Sequence, residues 1–260
     1  MSSDGVLAGQ SAIVTAGASG IGRAIAECLI AAGAAVHICD VSYEHLNAVK
    51  TNVSGLTGSL ADVSKPAEVE QLFDDAVAQM GGLDILVNNA GIGGPRAEVA
   101  DIAYDEWDQT IAVNLNGMFY CIKNAASKMV EQKSGCIINI STASVRTGLP
   151  MRTAYVTAKQ GVMGLTQNLA RELGPSNIRC NAILPGLIDN ERGRSIVSNY
   201  ARENKTSTEK AEADFLKYIS MKSWINPSEI GDTVVFLASN AGRHISGQFL
   251  AVDGNFEWEA

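Results

Sequence analysis

The chain has 260 residues, 46% of them hydrophobic, enough for one α/β domain with a sizeable buried core. Its formal charge of -8 disfavours nucleic acid or an anionic membrane as a partner held by the overall field. Five cysteines without a CxxC pair, and three scattered histidines (His37, His45 and His244), indicate neither a disulfide framework nor a metal site.

The N-terminus lacks a basic region followed by an apolar core, so no secretory leader is expected. No apolar stretch is long enough to span a bilayer, and reduced thiols in a cytoplasmic protein are expected. The first strand is expected at 11–15, and the next at 35–39 with a weaker one near 55–60. Others follow at 85–88, 136–140, 178–184 and 249–252. Most are unbroken apolar runs, as in strands covered on both faces. Helical periodicity fills the gaps: Ile21, Ile25, Cys28 and Leu29 share one face. So do Val69, Leu72, Phe73, Ala76 and Met80, in a helix that Ser64 and Pro66 are expected to open as cap and first-turn residues. This alternation predicts one α/β domain over 1–260, a Rossmann-type doubly wound parallel sheet of seven strands with helices on both faces.

The loop after the first strand reads Thr15-Ala16-Gly17-Ala18-Ser19-Gly20-Ile21-Gly22, without the Gly-x-Gly-x-x-Gly spacing. A glycine turn between strand and helix lets the backbone approach a pyrophosphate at the helix N-terminus. Asp40 ends the second strand, where a carboxylate accepts ribose hydroxyls and repels a 2′-phosphate. NAD is therefore expected over NADP, with Arg23 working against that preference. Farther on, Tyr155 and Lys159 stand four apart on one helix face. A phenol is a poor base at neutral pH, but a neighbouring ammonium favours the phenolate, which can take a proton from an alcohol. The strand before them ends in hydroxyls, Ser141-Thr142-Ala143-Ser144. From 187 to 226 the chain is polar, with no strand and two helical pieces, and is expected to form a substrate lid.

Together these motifs resemble the short-chain dehydrogenase/reductase family, in its short single-domain branch. The resemblance runs from Val6 to about Gly254 and rests on five motifs in order. They are the glycine loop, Asn88-Asn89-Ala90-Gly91, Asn114, the Tyr155/Lys159 pair and Pro185-Gly186. It implies that Ser19, Gly20, Ile21 and Gly22 wrap the pyrophosphate and that Asp40 holds the adenosine ribose. Asp62 and Val63 would flank the adenine, and Asn89, Ala90 and Gly91 would line the trough. Tyr155 and Lys159 would face the nicotinamide ribose, with Pro185, Gly186 and Ile188 along the nicotinamide. Asn114 would hold a proton-relay water. It further implies a homotetramer.

Two departures stand out. Ala16 occupies the place of the family's first glycine, which raises the question whether Gly17 takes over that glycine's conformation. Thr142 stands at the place of the catalytic serine, with Ser144 as the alternative donor. Arg96, Arg146, Arg152 and Arg192 lie on segments expected to edge the pocket and would suit a planar anion. A solvated rim or a subunit contact is the alternative for each. The expected activity is NAD-dependent interconversion of a secondary alcohol and a ketone. The small-molecule substrate would be a polyol, sugar or hydroxy acid touched by Ser144, Arg152 and Arg192. Alternatives are an NADPH-linked carbonyl reductase and a catalytically idle cofactor-sensing relative.

Overall fold

The apolar runs form strands and the periodic stretches form helices. The first half contains β1 (Ser11–Thr15), α1 (Gly20–Ala31), β2 (Ala35–Asp40), α2 (Tyr43–Asn52), β3 (Leu56–Leu60), α3 (Pro66–Met80), β4 (Ile85–Asn88), α4 (Tyr104–Ile111) and α5 (Gly117–Gln132). The second half adds β5 (Gly135–Ile140), α6 (Ser144–Thr147), α7 (Thr153–Leu173), β6 (Ile178–Pro185), α8 (Glu191–Glu203), α9 (Thr208–Leu216), α10 (Pro227–Ala238) and β7 (Phe249–Val252). They are seen in a computed structural model that describes residues 5–257. The expected strands are all present, three of them one residue longer: β2 takes in Asp40, β5 Gly135 and β6 Pro185.

The strands form one seven-stranded sheet in the order β3-β2-β1-β4-β5-β6-β7, and every neighbouring pair is parallel. The period-2 alternation of a strand explains why the runs are apolar throughout. Ala12 and Val14 of β1 join one core with Ile25 and Leu29 of α1 and Ile230 and Val234 of α10. Ile13, between them, joins the other core with Phe73 of α3, Ile122 of α5 and Val162 of α7. Both faces of the sheet are therefore covered by helices. The strand order reverses between β1 and β4, and a doubly wound sheet opens its ligand crevice at that switch, beyond the carboxyl ends of the strands.

Two local expectations need correction. The residue that caps α3 is Lys65, not Ser64. Ser64 instead donates from both its N–H and its hydroxyl to Asp62 Oδ1, at 2.9 and 2.7 Å, because an aspartate two residues back offers a closer acceptor than the helix end. Pro66 does stand in the first turn. Four of the five free cysteines are buried, but Cys28 is half-exposed beside Asp232 of α10. Among the described residues no helix is long and apolar enough to cross a membrane, and no cluster of three metal-ligating side chains occurs.

Candidate active site

The glycine loop joins β1 to α1 at the switch point. Ala16 has φ of +49°, whereas Gly17 is outside the positive-φ region. The role of a first glycine is thus divided. Ala16 takes the left-handed backbone, at a strain of about 1 kcal/mol. Gly17 supplies the missing side chain, since a Cβ there would lie 2.5 Å from Ile38 Cγ2 of β2. The twist at Ala16 turns its carbonyl toward α1, and a Cβ on Gly22 would sit 2.1 Å from that oxygen. Only glycine fits at 22. Ser19 is the N-cap residue of the 12-residue α1 but its side chain makes no capping bond, so the opening amides of that helix have no side-chain acceptor. An uncapped helix start inside a glycine loop suits a phosphate group.

Thr15 braces this loop, a part that sequence reasoning did not assign. Its hydroxyl oxygen accepts from the N–H groups of Asn89 and Ala90, each at 2.9 Å. Asn89 Nδ2 donates in return to the carbonyls of Thr15 and Ala16. The ends of β1 and β4 are locked together at the crevice. A strand-end threonine was the visible signal, but its partner lies 74 residues away. Asp40, 8% exposed, accepts from Ala18 N at 3.2 Å and from Ser42 N at 3.0 Å. Arg23 is held by Glu27 at 2.8 Å. Asp62 accepts from Ser64, and Val63 is buried against Gly117, whose Cβ would meet the Val63 carbonyl at 2.9 Å.

Asn114, Lys159 and Gly91 converge. Asn114 lies in a π-helical turn, Ala112–Asn116, between α4 and α5, an irregularity often found at functional sites. Its side chain clamps Ile92, accepting from Ile92 N at 2.7 Å and donating to Ile92 O at 2.9 Å. A Cβ on Gly91 would sit 3.1 Å from Asn114 Oδ1 and 3.3 Å from Lys159 Nζ, so glycine keeps this junction open. Lys159 is buried. Its Nζ donates to Ile140 O at 2.8 Å, and its own carbonyl accepts from Ser141 Oγ at 3.0 Å. Both bonds tie α7 to the end of β5. Burial, assisted by Arg192, lowers the Lys159 pKa from 10.5 to about 8, which leaves most of it protonated at neutral pH. Tyr155 stands one turn earlier on α7, half-buried. Thr142 and Ser144 form one hydroxyl pair 3.4 Å apart, and Thr142 Oγ1 also accepts from Ser144 N. Pro185 and Gly186 close the far wall: Ala143 N donates to Pro185 O, and a Cβ on Gly186 would lie 2.7 Å from Asp253 Cα.

Segment 187–226 folds over this edge. Buried Ile188 bridges to Ile225, and α8 and α9 share their own apolar cluster of Val197, Ala201, Ala211, Phe215 and Trp224. Asn190 caps α8 by accepting from Gly193 N at 2.8 Å, and its Nδ2 faces the glycine loop, 3.5 Å from where a Gly20 Cβ would be. Arg152 Nη1 donates to the carbonyls of Gly93 and Gly94, and Arg96 pairs with Glu203 of α8. Arg146 turns to Asp253 at 3.8 Å and lines a surface groove between α7 and β7 with Gln160, Met163 and Phe249.

A parallel doubly wound sheet whose switch point carries an uncapped glycine loop, and whose β5–α7 edge carries a pinned lysine after a tyrosine, defines a dinucleotide-dependent oxidoreductase. The profile of a family described as enoyl-(acyl carrier protein) reductase matches residues 15–256. The short chain dehydrogenase/reductase astE of Aspergillus oryzae is 36% identical over 95% of this chain and 94% of its own. Two solved structures superpose with a TM-score of 0.90. A single-substitution variant of actinorhodin polyketide ketoreductase with NADPH is 30% identical and covers 94% of this chain and 96% of its own. An NAD+-bound xylitol dehydrogenase is 27% identical and covers 95% and 99%. The chain belongs to the short-chain dehydrogenase/reductase family, oxidoreductases that use a nicotinamide cofactor.

Proposed function

We propose that the protein is an NAD-dependent dehydrogenase interconverting a secondary alcohol and a ketone, with Tyr155 as general acid/base. The observation that carries this is the anchored Lys159, buried, bound to Ile140 O and one helical turn beyond Tyr155. A neighbouring ammonium favours the phenolate over the phenol, and the phenolate is the form that would take the alcohol's proton. Thr142 Oγ1 accepts from Ser144 N and donates to Ser144 Oγ at 3.4 Å; turning its O–H from Ser144 to the reacting oxygen would let it donate to the substrate. When bound, NAD supplies the hydride acceptor. Tyr155 would take the hydroxyl proton as the carbinol carbon gives up its hydride to that acceptor, and would return the proton in ketone reduction. Asn114 keeps Gly91–Ile92 in place beside Lys159 through both polar atoms of its side chain and would hold the relay water. Ser19, Gly20, Ile21 and Gly22 would take the pyrophosphate, and Asp40 the ribose. Asp62 and Val63 would lie by the adenine, Asn89, Ala90 and Gly91 would line the trough, and Pro185, Gly186 and Ile188 would pack along the nicotinamide. Segment 187–226 is the substrate lid.

Asp40 supports NAD over NADP, since a buried carboxylate beside the ribose repels a 2′-phosphate. The similarity to a ketoreductase solved with NADPH favours the second reading, an NADPH-linked carbonyl reductase. Alcohols and ketones tested with both cofactors, followed by the absorbance of the reduced form, decide between them. Tyr155→Phe is expected to lower kcat about 10²–10⁴-fold. Thr142→Val is expected to cost more than Ser144→Ala, and a loss below about tenfold in both would remove the hydroxyl assignment.

A further inference from the structure

Arg152 and Arg192 have no task in the reaction just described. Arg152 precedes the first turn of α7, three residues before Tyr155, and Arg192 lies in the first turn of α8. Their guanidinium groups meet at Gly93. A Cβ built on Gly93 would lie 3.3 Å from Arg152 Nη1 and 3.3 Å from Arg192 Nη2. Arg152 is half-buried and its direction is set by backbone, through Nη1 bonds of 3.1 Å to the carbonyls of Gly93 and Gly94. Arg192 reaches the same point from the solvent side.

Two like charges held together repel unless an acid stands between them. Three acids of segment 187–226 are occupied elsewhere. Glu203 holds Arg96 at 2.7 Å, while Asp189 and Glu212 hold Arg194 at 2.7 and 3.0 Å, with Arg194 stacked 4.0 Å over Trp224. Among the described residues, neither Arg152 nor Arg192 forms an ion pair with an acidic side chain. The site therefore carries uncompensated positive charge, and Arg152 is pushed below the usual arginine pKa by burial, then by Arg96 and Arg192. Gly93 lies two residues beyond Gly91, where a Cβ would meet Lys159 Nζ at 3.3 Å, and the field of Arg192 reaches Lys159. Arg152 Nη1 is engaged by the Gly93 and Gly94 carbonyls, which leaves its other guanidinium N–H groups and those of Arg192 beside a point where the backbone carries no side chain, a setting that suits a carboxylate.

We infer that Arg152 and Arg192 form a clamp at Gly93 for a substrate carboxylate, which makes the substrate a short hydroxy acid and the product its keto acid. The inference rests on the dehydrogenase reading and narrows its substrate class.

The test compares lactate and 3-hydroxybutyrate with their methyl esters, and with the neutral alcohols xylitol and galactose, at saturating NAD. An acid is expected to exceed its ester in kcat/KM by about tenfold or more. That ratio is expected to fall toward one in Arg152→Gln and in Arg192→Gln, with partial recovery in Arg192→Lys, which restores charge without the fork. Equal use of acid and ester overturns the clamp, as does turnover of neutral alcohols alone or a ratio that neither substitution moves. If nothing in the panel is turned over, the dehydrogenase reading fails, and calorimetric titration of acetoacetate into the NAD-loaded protein decides the clamp separately. Binding weakened about tenfold in Arg152→Gln supports it; absent or unchanged binding overturns it. Circular dichroism of each variant excludes misfolding, and Arg192, exposed on α8, gives the variant least able to disturb the core.

Discussion

Ala16 shows how one side chain is judged by its neighbours. Its φ of +49° places a Cβ in a conformation that favours glycine. The conformation persists because the Ala16 carbonyl accepts from Asn89 Nδ2 while Gly17 packs its bare backbone on Ile38. Ala16→Gly is therefore expected to relieve strain and raise stability by up to about 1 kcal/mol, less the added freedom of the unfolded chain. A urea midpoint that falls would show that the strain is absent. The glycine spacing was readable in the sequence, but not which of residues 16 and 17 bends. That choice depends on Ile38, which comes from the next strand and makes contact only once β1 and β2 pair.

The pairing of β2 with β3 carries a pH-sensitive element. His37 on β2 is fully buried, its ring nitrogens 2.8 Å from Thr57 Oγ1 and 3.0 Å from Ser59 Oγ on β3. Burial lowers its pKa from 6.5 to about 4, against the pull of Asp75. The folded chain thus keeps the imidazole neutral while the unfolded chain protonates it below 6.5. Stability contributed by this pairing is present above pH 6.5 and is lost as pH falls toward 4, by at most about 3 kcal/mol. Denaturant unfolding between pH 7 and 4 should show a steeper decline in wild type than in His37→Asn; parallel declines would exclude the linkage. Strand identity was legible along β2, an apolar run, and weaker along β3, whose middle is Thr57, Gly58 and Ser59. The start of α3 was less so, because Ser64 had a choice between the helix start and Asp62, and distance decided it.

The packing of segment 187–226 on the core includes few polar contacts. Arg96, in the loop after β4, pairs with Glu203 of α8 at 2.7 Å, both side chains about half-exposed. A surface pair of this kind contributes no more than about 1 kcal/mol to global stability. Arg96→Ala is accordingly expected to leave the unfolding midpoint nearly unchanged yet to increase proteolytic cleavage between 191 and 216. Equal cleavage rates would mean that the lid's own cluster around Trp224 holds it alone.

Taken by itself, the amino-acid order specified a doubly wound parallel sheet, because two-sided burial demands unbroken apolar strands and a 3.6-residue stripe between them. It also marked the glycine loop and the Tyr155/Lys159 pair by residue type and spacing, while Asn89 and Asn114 were pointed to by the family resemblance. The tertiary structure settled the bent residue in the loop, the Thr15 brace and the meeting of Arg152 with Arg192 at Gly93. Those features join segments tens of residues apart. Local periodicity carries no record of such distances; they are set by which strands pair and by where segment 187–226 packs.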